Sequence, residues 1–161
     1  MSQKEYSFVG IGGTFDRIHK GHKTLLQKAF KIGEHVLIGI TSEEMLSDKD
    51  NAKKVQSYTH RVKNMENYLQ NNGLLQRAKI VKLNDRYGPA ITIPEMEAII
   101  VTEETRPTAE EINDIRKANR LAPLTIISVP RVLAEDGMPI SSSRIRKGTI
   151  NKNGTLLKEK K

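Results

Sequence analysis

Apolar residues along this chain cluster in two alternating ways. Short, nearly continuous β-branched runs occur at Tyr6 to Ile11, His35 to Thr41, Lys79 to Leu83, Ala98 to Thr102 and Thr125 to Val129. Runs of that length, bounded by glycine or polar residues, predict strands buried on both faces. Between them, apolar positions recur three or four apart. From about His22 to Ile32 the set is Leu25, Leu26, Ala29 and Phe30, stopping at Gly33. From about Thr59 to Asn71 it is Val62, Met65, Tyr68 and Leu69, ending in Asn71-Asn72-Gly73. After Pro107, Thr108 with Glu111 three residues on reads as a capping box that opens a helix to about Asn119, with Ile112 and Ile115 inward. Ser42 to Ser57 is charged and aperiodic beyond a turn near Met45 and Leu46, so it reads as a loop. Strand and helix alternate throughout, which predicts a single α/β domain: a five-stranded parallel sheet with helices on both faces. The domain is expected over residues 1–150, with 151–161 as a basic, flexible tail.

In such sheets ligands bind beyond the carboxyl ends of the strands. The first strand leads there into Gly12-Gly13-Thr14-Phe15-Asp16 and then His19-Lys20-Gly21-His22 at the start of a helix. A strand-to-helix turn points unpaired N–H groups and the positive end of the helix dipole at an anion. Glycines without Cβ allow close approach, and two imidazoles at i and i+3 flank the same place. Ile140-Ser141-Ser142-Ser143-Arg144, with Arg146 just beyond, repeats this logic near the other end of the chain. One phosphate-binding site assembled from both ends is the expectation.

Composition narrows the classes. The chain has 161 residues, enough for one domain with a real core. It has no cysteine, which removes disulfides and thiolate metal sites and suits a reducing compartment. A polar N-terminus and the lack of a long apolar run predict a cytoplasmic protein with no signal peptide and no membrane span. The net charge is +8, but the stretch from Arg144 to Lys161 carries +6 of it and the remainder is close to neutral. With aromatic residues at 4% and no tryptophan, nucleic acid is not an expected partner.

Gly-Thr-Phe-Asp followed by His-x-Gly-His resembles the nucleotidyltransferases related to class I aminoacyl-tRNA synthetases, which implies a Rossmann-like fold. Their late Ile-Ser-Ser/Thr-x-x-Arg-like motif is matched by Ile140 to Arg144 or Arg146. Leu83-Asn84-Asp85-Arg86-Tyr87-Gly88-Pro89-Ala90 and Val101-Thr102-Glu103-Glu104-Thr105 resemble, within that superfamily, the archaeal phosphopantetheine adenylyltransferases and the corresponding domain of eukaryotic coenzyme A synthase. The resemblance runs from about Val9 to Gly148. It implies adenylyl transfer from ATP to 4′-phosphopantetheine, giving dephospho-coenzyme A and pyrophosphate. It also implies roles. His22 would stabilise the transition state and His19 the phosphates. Gly13, Thr14, Phe15, Ser141, Ser142, Ser143 and Arg144 would complete the ATP site. Thr14 and one of Lys53 or Lys54 would hold the incoming phosphate. Mg²⁺ would accompany ATP on phosphate oxygens and water, since no cage of carboxylates is evident. The bacterial branch differs in its turn after the fourth strand, so its hexamer is not carried over and a monomer is expected.

The chemistry of that reaction suits these residue types. A phosphomonoester is mostly dianionic at neutral pH, because its second pKa is about 6, so no general base is required. The protein must align the attacking and leaving oxygens and place donors around the α-phosphate. Asp16 is expected to orient the turn by accepting backbone N–H groups rather than to bind metal. Taken singly, each piece has a plainer role: Ser141 to Ser143 as a helix cap, Asp85 to Pro89 as a turn, Lys53 and Lys54 as solvated charges, Arg106 as a partner of Glu103 or Glu104. Competing readings are a nucleotidyltransferase for another acceptor, such as glycerol 3-phosphate or nicotinamide mononucleotide, and a nucleotide sensor without turnover.

Overall fold

The computed structural model describes residues 4–46 and 55–157. Five strands form one sheet: β1 Tyr6–Gly13, β2 Gly33–Thr41, β3 Ala78–Leu83, β4 Ala98–Val101 and β5 Thr125–Ser128. Their order is β3-β2-β1-β4-β5 and every pairing is parallel. The helices are α1 Lys20–Ile32, α2 Tyr58–Asn71, α3 Arg106–Ala118 and the short α4 Ser142–Arg146. The expected five-stranded parallel architecture is what forms.

Side-chain alternation along the strands divides the core between two faces. Val9, Ile11, Val36, Ile38, Ile40 and Ile100 pack with Leu26, Ala29 and Phe30 of α1 and Met65 and Leu69 of α2. Leu37 and, half-buried, Phe8 and Ile99 turn the other way, toward Ile112 of α3, Ala90 and Met96. The chain runs β1-β2-β3 in one direction across the sheet and then returns past β1 to β4 and β5. Right-handed crossovers place helices on opposite faces when the direction reverses. The reversal lies between β1 and β4, whose carboxyl ends part there and leave a crevice.

Several local expectations are corrected. α1 begins at Lys20 rather than near His22, because His19 is its N-cap. Gly33 ends α1 in an extended conformation with φ −110° and opens β2 at once, so it is no left-handed cap. Glycine is needed there for space: a Cβ would lie 2.6 Å from Val9 Cγ2 and 3.0 Å from the Ala29 carbonyl oxygen. The Thr108–Glu111 capping box does not form. α3 starts at Arg106 with Pro107 in its first turn, where a missing N–H and a fixed φ cost nothing, and Thr105 is the residue before it. Glu111 instead accepts the Tyr87 hydroxyl at 2.7 Å and pairs with Arg86.

The inward faces of α2 and α3 also carry residues absent from the apolar pattern. Met65, Leu69 and Ile112 are buried as expected, while Val62, Tyr68 and Ile115 are only partly covered. Two arginines, Arg61 and Arg116, are fully buried beside them. Arg116 donates to the carbonyls of Ala122 at 2.8 Å, Ala90 at 2.7 Å and Ile93 at 2.8 Å, tying α3 to the segment between β3 and β4. Burial pulls its pKa down, and the ring of carbonyl acceptors is what makes a buried guanidinium tolerable.

The segment after α4 is not frayed through Leu157. Ile150 is fully buried with Ala134 and Ile140, and it bridges Leu156. Glu135 N–H donates to the Gly154 carbonyl at 2.8 Å, and Lys20 N–H donates to the Lys152 carbonyl at 2.9 Å. The last contact satisfies one of the first N–H groups of α1, which no helical carbonyl can reach.

Candidate active site

A cleft of about 720 Å³ opens over the crevice between β1 and β4. Both ends of the chain reach it, through Gly12 to Phe15, His19 and His22 on one side and Ser141 to Ser143 with Arg146 on the other. The two motifs read as one site are brought together.

The turn between β1 and α1 is fixed by its own side chains. Phe15 and Arg17 have φ of 52° and 49°, in the left-handed region that side chains disfavour. Phe15 is held there by burial, its ring lying beside the position a Gly13 Cβ would occupy, 3.3 Å away, and 5.2 Å from the His22 ring. Asp16 is fully buried and accepts three groups. Its Oδ1 takes the Gln56 N–H at 3.0 Å, and its Oδ2 takes Arg17 at 2.6 Å and Arg146 at 2.7 Å. Asp16 therefore does accept a backbone N–H, but one at the entrance to α2 rather than in its own turn. Both of its oxygens are thus engaged by protein donors.

His19 and His22 form a capping box built from imidazoles. His19 Nδ1 accepts the N–H of Gly21 at 3.0 Å and of His22 at 3.4 Å. His22 Nδ1 accepts the His19 N–H at 3.2 Å. The rings stack with centroids 3.7 Å apart. An Nδ1 that accepts carries no proton, so in each neutral ring the proton sits on Nε2, which becomes a donor. Burial, with help from the nearby Arg131 charge, lowers the His19 pKa to about 4. Burial and then His19 lower that of His22 to about 3. Both rings line the cleft as neutral donors at physiological pH.

Thr14 is aimed by a relay. Buried Arg61 donates to the Thr14 carbonyl at 2.9 Å, the Gln56 carbonyl at 2.9 Å and Thr41 Oγ1 at 3.4 Å. Thr41 Oγ1 in turn donates to Thr14 Oγ1 at 3.3 Å. That bond does not use the Thr14 hydroxyl proton, and Thr14 lines the cleft. Lys53 and Lys54 lie outside the described residues; Leu46 and Val55, on either side of them in sequence, both line the cleft.

The serines divide their work. Ser141 Oγ caps α4 by accepting the Arg144 N–H at 3.2 Å, and Ser142 Oγ donates to the Asp16 carbonyl at 2.6 Å. Arg144 does not line the cleft: its guanidinium pairs with Asp136 and donates to the Pro139 carbonyl at 3.2 Å. Two residues along the same short helix, Arg146 faces the cleft and Asp16 instead, with its Nε buried and without a partner. Asp85 makes the turn considered for it, accepting the N–H groups of Tyr87 at 2.9 Å and Gly88 at 2.7 Å. Glu104 pairs with Arg131, while Arg106 joins Glu110 and the Ser128 hydroxyl.

Sequence reading missed Arg61, Arg116 and Arg131. The first two had a signal: Arg61 lies in the i, i+4, i+8 series with Met65 and Leu69, and Arg116 is four residues after Ile112. An arginine on the apolar period of a helix marks a buried cation that ties down carbonyls. Arg131 follows β5 with no local pattern to set it apart.

Comparison with known proteins places these features. The cytidylyltransferase-like family matches residues 11–148. A phosphopantetheine adenylyltransferase of Methanothermobacter thermautotrophicus is 44% identical over 156 residues, covering 97% of this chain and 93% of that protein. One from Pyrococcus horikoshii is 42% identical over 155 residues, covering 96% and 98%. Among solved structures, an Archaeoglobus fulgidus protein of unknown function superposes with a TM-score of 0.68 at 32% identity, over 75% of this chain and 87% of its own. The tyrosyl-tRNA synthetase of the same organism superposes with a TM-score of 0.65 at 13% identity, over 88% of this chain and 60% of its own, and shares the fold.

Proposed function

This chain belongs to the cytidylyltransferase-like family and, within it, to the phosphopantetheine adenylyltransferases, and we propose how its residues perform that reaction. The enzyme transfers the adenylyl group of ATP to 4′-phosphopantetheine, forming dephospho-coenzyme A and pyrophosphate in coenzyme A biosynthesis. An oxygen of the acceptor phosphate attacks the α-phosphorus as the bond to the pyrophosphate oxygen breaks. The acceptor arrives dianionic, so no proton must be removed.

One observation carries the assignment of roles: both histidines present Nε2–H donors from neutral rings at the start of α1. A neutral donor fixed by a helix cap needs no reorganisation as charge develops. His22 donates to the α-phosphate as it becomes crowded, and His19 to the neighbouring phosphates. Gly13 and the N–H groups of Thr14 and Phe15 accommodate the chain of phosphates, and the Thr14 hydroxyl holds the acceptor phosphate together with Lys53 or Lys54. Ser141, Ser142 and Ser143 stand at the β- and γ-phosphates. Of the two late arginines, Arg146 is the better placed for the nucleotide, since it lines the cleft while Arg144 is turned away to Asp136. Magnesium enters as part of the substrate Mg-ATP, held by phosphate oxygens and water; its contribution is to neutralise the triphosphate.

The nearly neutral body of the chain supports a small anionic substrate rather than nucleic acid. No described helix is long and apolar enough to cross a membrane. The absence of cysteine suits a reducing cytoplasm. Among the described residues only Leu133, Met138, Leu156 and Leu157 are large exposed apolar side chains, which supports a monomer, testable by light scattering.

The test of the function is pyrophosphate release from Mg-ATP with 4′-phosphopantetheine, glycerol 3-phosphate, phosphocholine, nicotinamide mononucleotide and FMN in parallel, with the product identified by mass. Turnover confined to 4′-phosphopantetheine is expected. Turnover confined to another acceptor would overturn the acceptor while leaving the phosphate site intact.

A further inference from the structure

Arg86, Arg131 and Arg146 line the cleft with very different engagements, and Arg86 is paired with Glu111. Arg146 is locked to buried Asp16 at 2.7 Å, and Arg144 is turned out of the cleft to Asp136. Arg131 lines the cleft and has one ion-pair partner among the described residues, Glu104, at 3.5 Å. That contact is long for a charge-assisted hydrogen bond, and Glu104 is 69% exposed. Pairs of this kind contribute little to folding and are cheap to open.

Their placement follows from the sheet. Val101 is paired with Ser128 in the register of β4 and β5. Glu104 and Arg131 each lie three residues further on, so they meet at the same height above the carboxyl edge, at the mouth of the cleft. Arg131 is also close enough to His19 for its charge to disfavour protonation of that ring. The same guanidinium therefore faces an exchangeable carboxylate on one side and the phosphate-binding histidine on the other.

We propose that the Glu104–Arg131 pair is a latch on the nucleotide side of the cleft, with Arg131 exchanging the Glu104 carboxylate for the β- and γ-phosphates of ATP. A triphosphate carries more negative charge than one carboxylate and offers several oxygens in a geometry that a guanidinium fork matches. Glu104 keeps the cation occupied and correctly placed while the site is vacant, and it competes with the nucleotide for it. The proposal rests on the adenylyltransferase reading, because it takes ATP as the ligand.

Calorimetric titration of the wild type, Arg131→Gln, Glu104→Gln and the double variant with Mg-ATP and with AMP tests this, with kcat and KM for both substrates measured alongside. Arg131→Gln should weaken Mg-ATP at least tenfold and AMP less than twofold, raising KM for ATP more than it lowers kcat. Glu104→Gln should tighten Mg-ATP a few-fold, the opposite sign. In the double variant the gain should vanish, because it acts through Arg131. Arg131→Lys should recover part of the ATP affinity. Unchanged ATP affinity in Arg131→Gln, equal loss of AMP, or neutral or weakened ATP binding in Glu104→Gln would each overturn the latch. A wild type that binds Mg-ATP but does not adenylylate 4′-phosphopantetheine would instead overturn the acceptor assignment and leave the latch standing.

Discussion

His19 and His22 cap one another across the first turn of α1, each Nδ1 accepting a backbone N–H within the other's reach: His22 N–H to His19 at 3.4 Å and His19 N–H to His22 at 3.2 Å. The usual capping box sets a hydroxyl against a carboxylate. Imidazoles in both places leave a second nitrogen on each ring to face the cleft. The caps thereby fix the proton of each neutral ring on Nε2.

Replacing His22 with alanine removes a donor aimed at developing charge. We expect kcat to fall about 10²–10³-fold, the cost of one such donor, with Mg-ATP affinity changed only a few-fold. Single-turnover kinetics with a separate binding titration checks this. An equal loss of affinity and rate would make His22 a ground-state ligand only.

The lowered histidine pKa values set a direction for pH dependence. An unfolded histidine takes up a proton below about pH 6.5, whereas folded His19 and His22 do so near 4 and 3. Protons therefore bind the unfolded chain first as pH falls. The stability linked to these groups is complete above about 6.5 and is lost progressively from there toward pH 4. Urea unfolding at pH 7.5 and 5 should show the decline, and a His19→Asn, His22→Asn variant should reduce it. Proton NMR should find neither ring titrating between pH 5 and 8. Any acid limb in activity near pH 6 belongs to the acceptor phosphate.

Asp16→Asn removes the carboxylate charge that Arg146 and Arg17 engage and weakens the grip on Gln56. Losing one partner of a buried ion pair costs about 3–5 kcal/mol. Denaturant unfolding should report a loss of that order. Arg146→Met should cost less, because Asp16 keeps its other two partners.

Deleting Asn151 to Lys161 uncovers Ile150 and removes the Lys152 carbonyl from the N-terminus of α1. The deletion should lower the melting temperature by several degrees and reduce activity through the His19–His22 turn. Activity and stability at wild-type levels would show that the contact with Lys20 is dispensable.

Much of this protein was legible in its sequence because the information was local. β-branched runs such as Val36 to Ile40 and the i, i+3, i+4 series of Leu26, Ala29 and Phe30 specify element type through side-chain periodicity alone. Alternating elements then leave few topologies. Glycines followed by histidines at a strand-to-helix turn likewise mark a candidate anion site, but the N–H groups of Lys20, Gly21 and His22 expected to be free there are taken by the Lys152 carbonyl and His19 Nδ1, which leaves the Nε2 atoms of the two rings as the donors at the cleft.

What the tertiary structure decided are relations between residues distant in sequence. Asp16 meets Gln56 and Arg146, 40 and 130 positions away, so no local rule could choose those partners. The serine motif reads the same whether Arg144 or Arg146 faces the ligand. Asp136 and Asp16 claim one guanidinium each, and of the two only Arg146 lines the cleft. Arg61 and Arg116 break the apolar pattern because their worth lies in carbonyls supplied by other segments. Protonation follows the same division: the sequence supplies two imidazoles, and only burial and reciprocal capping make them neutral donors.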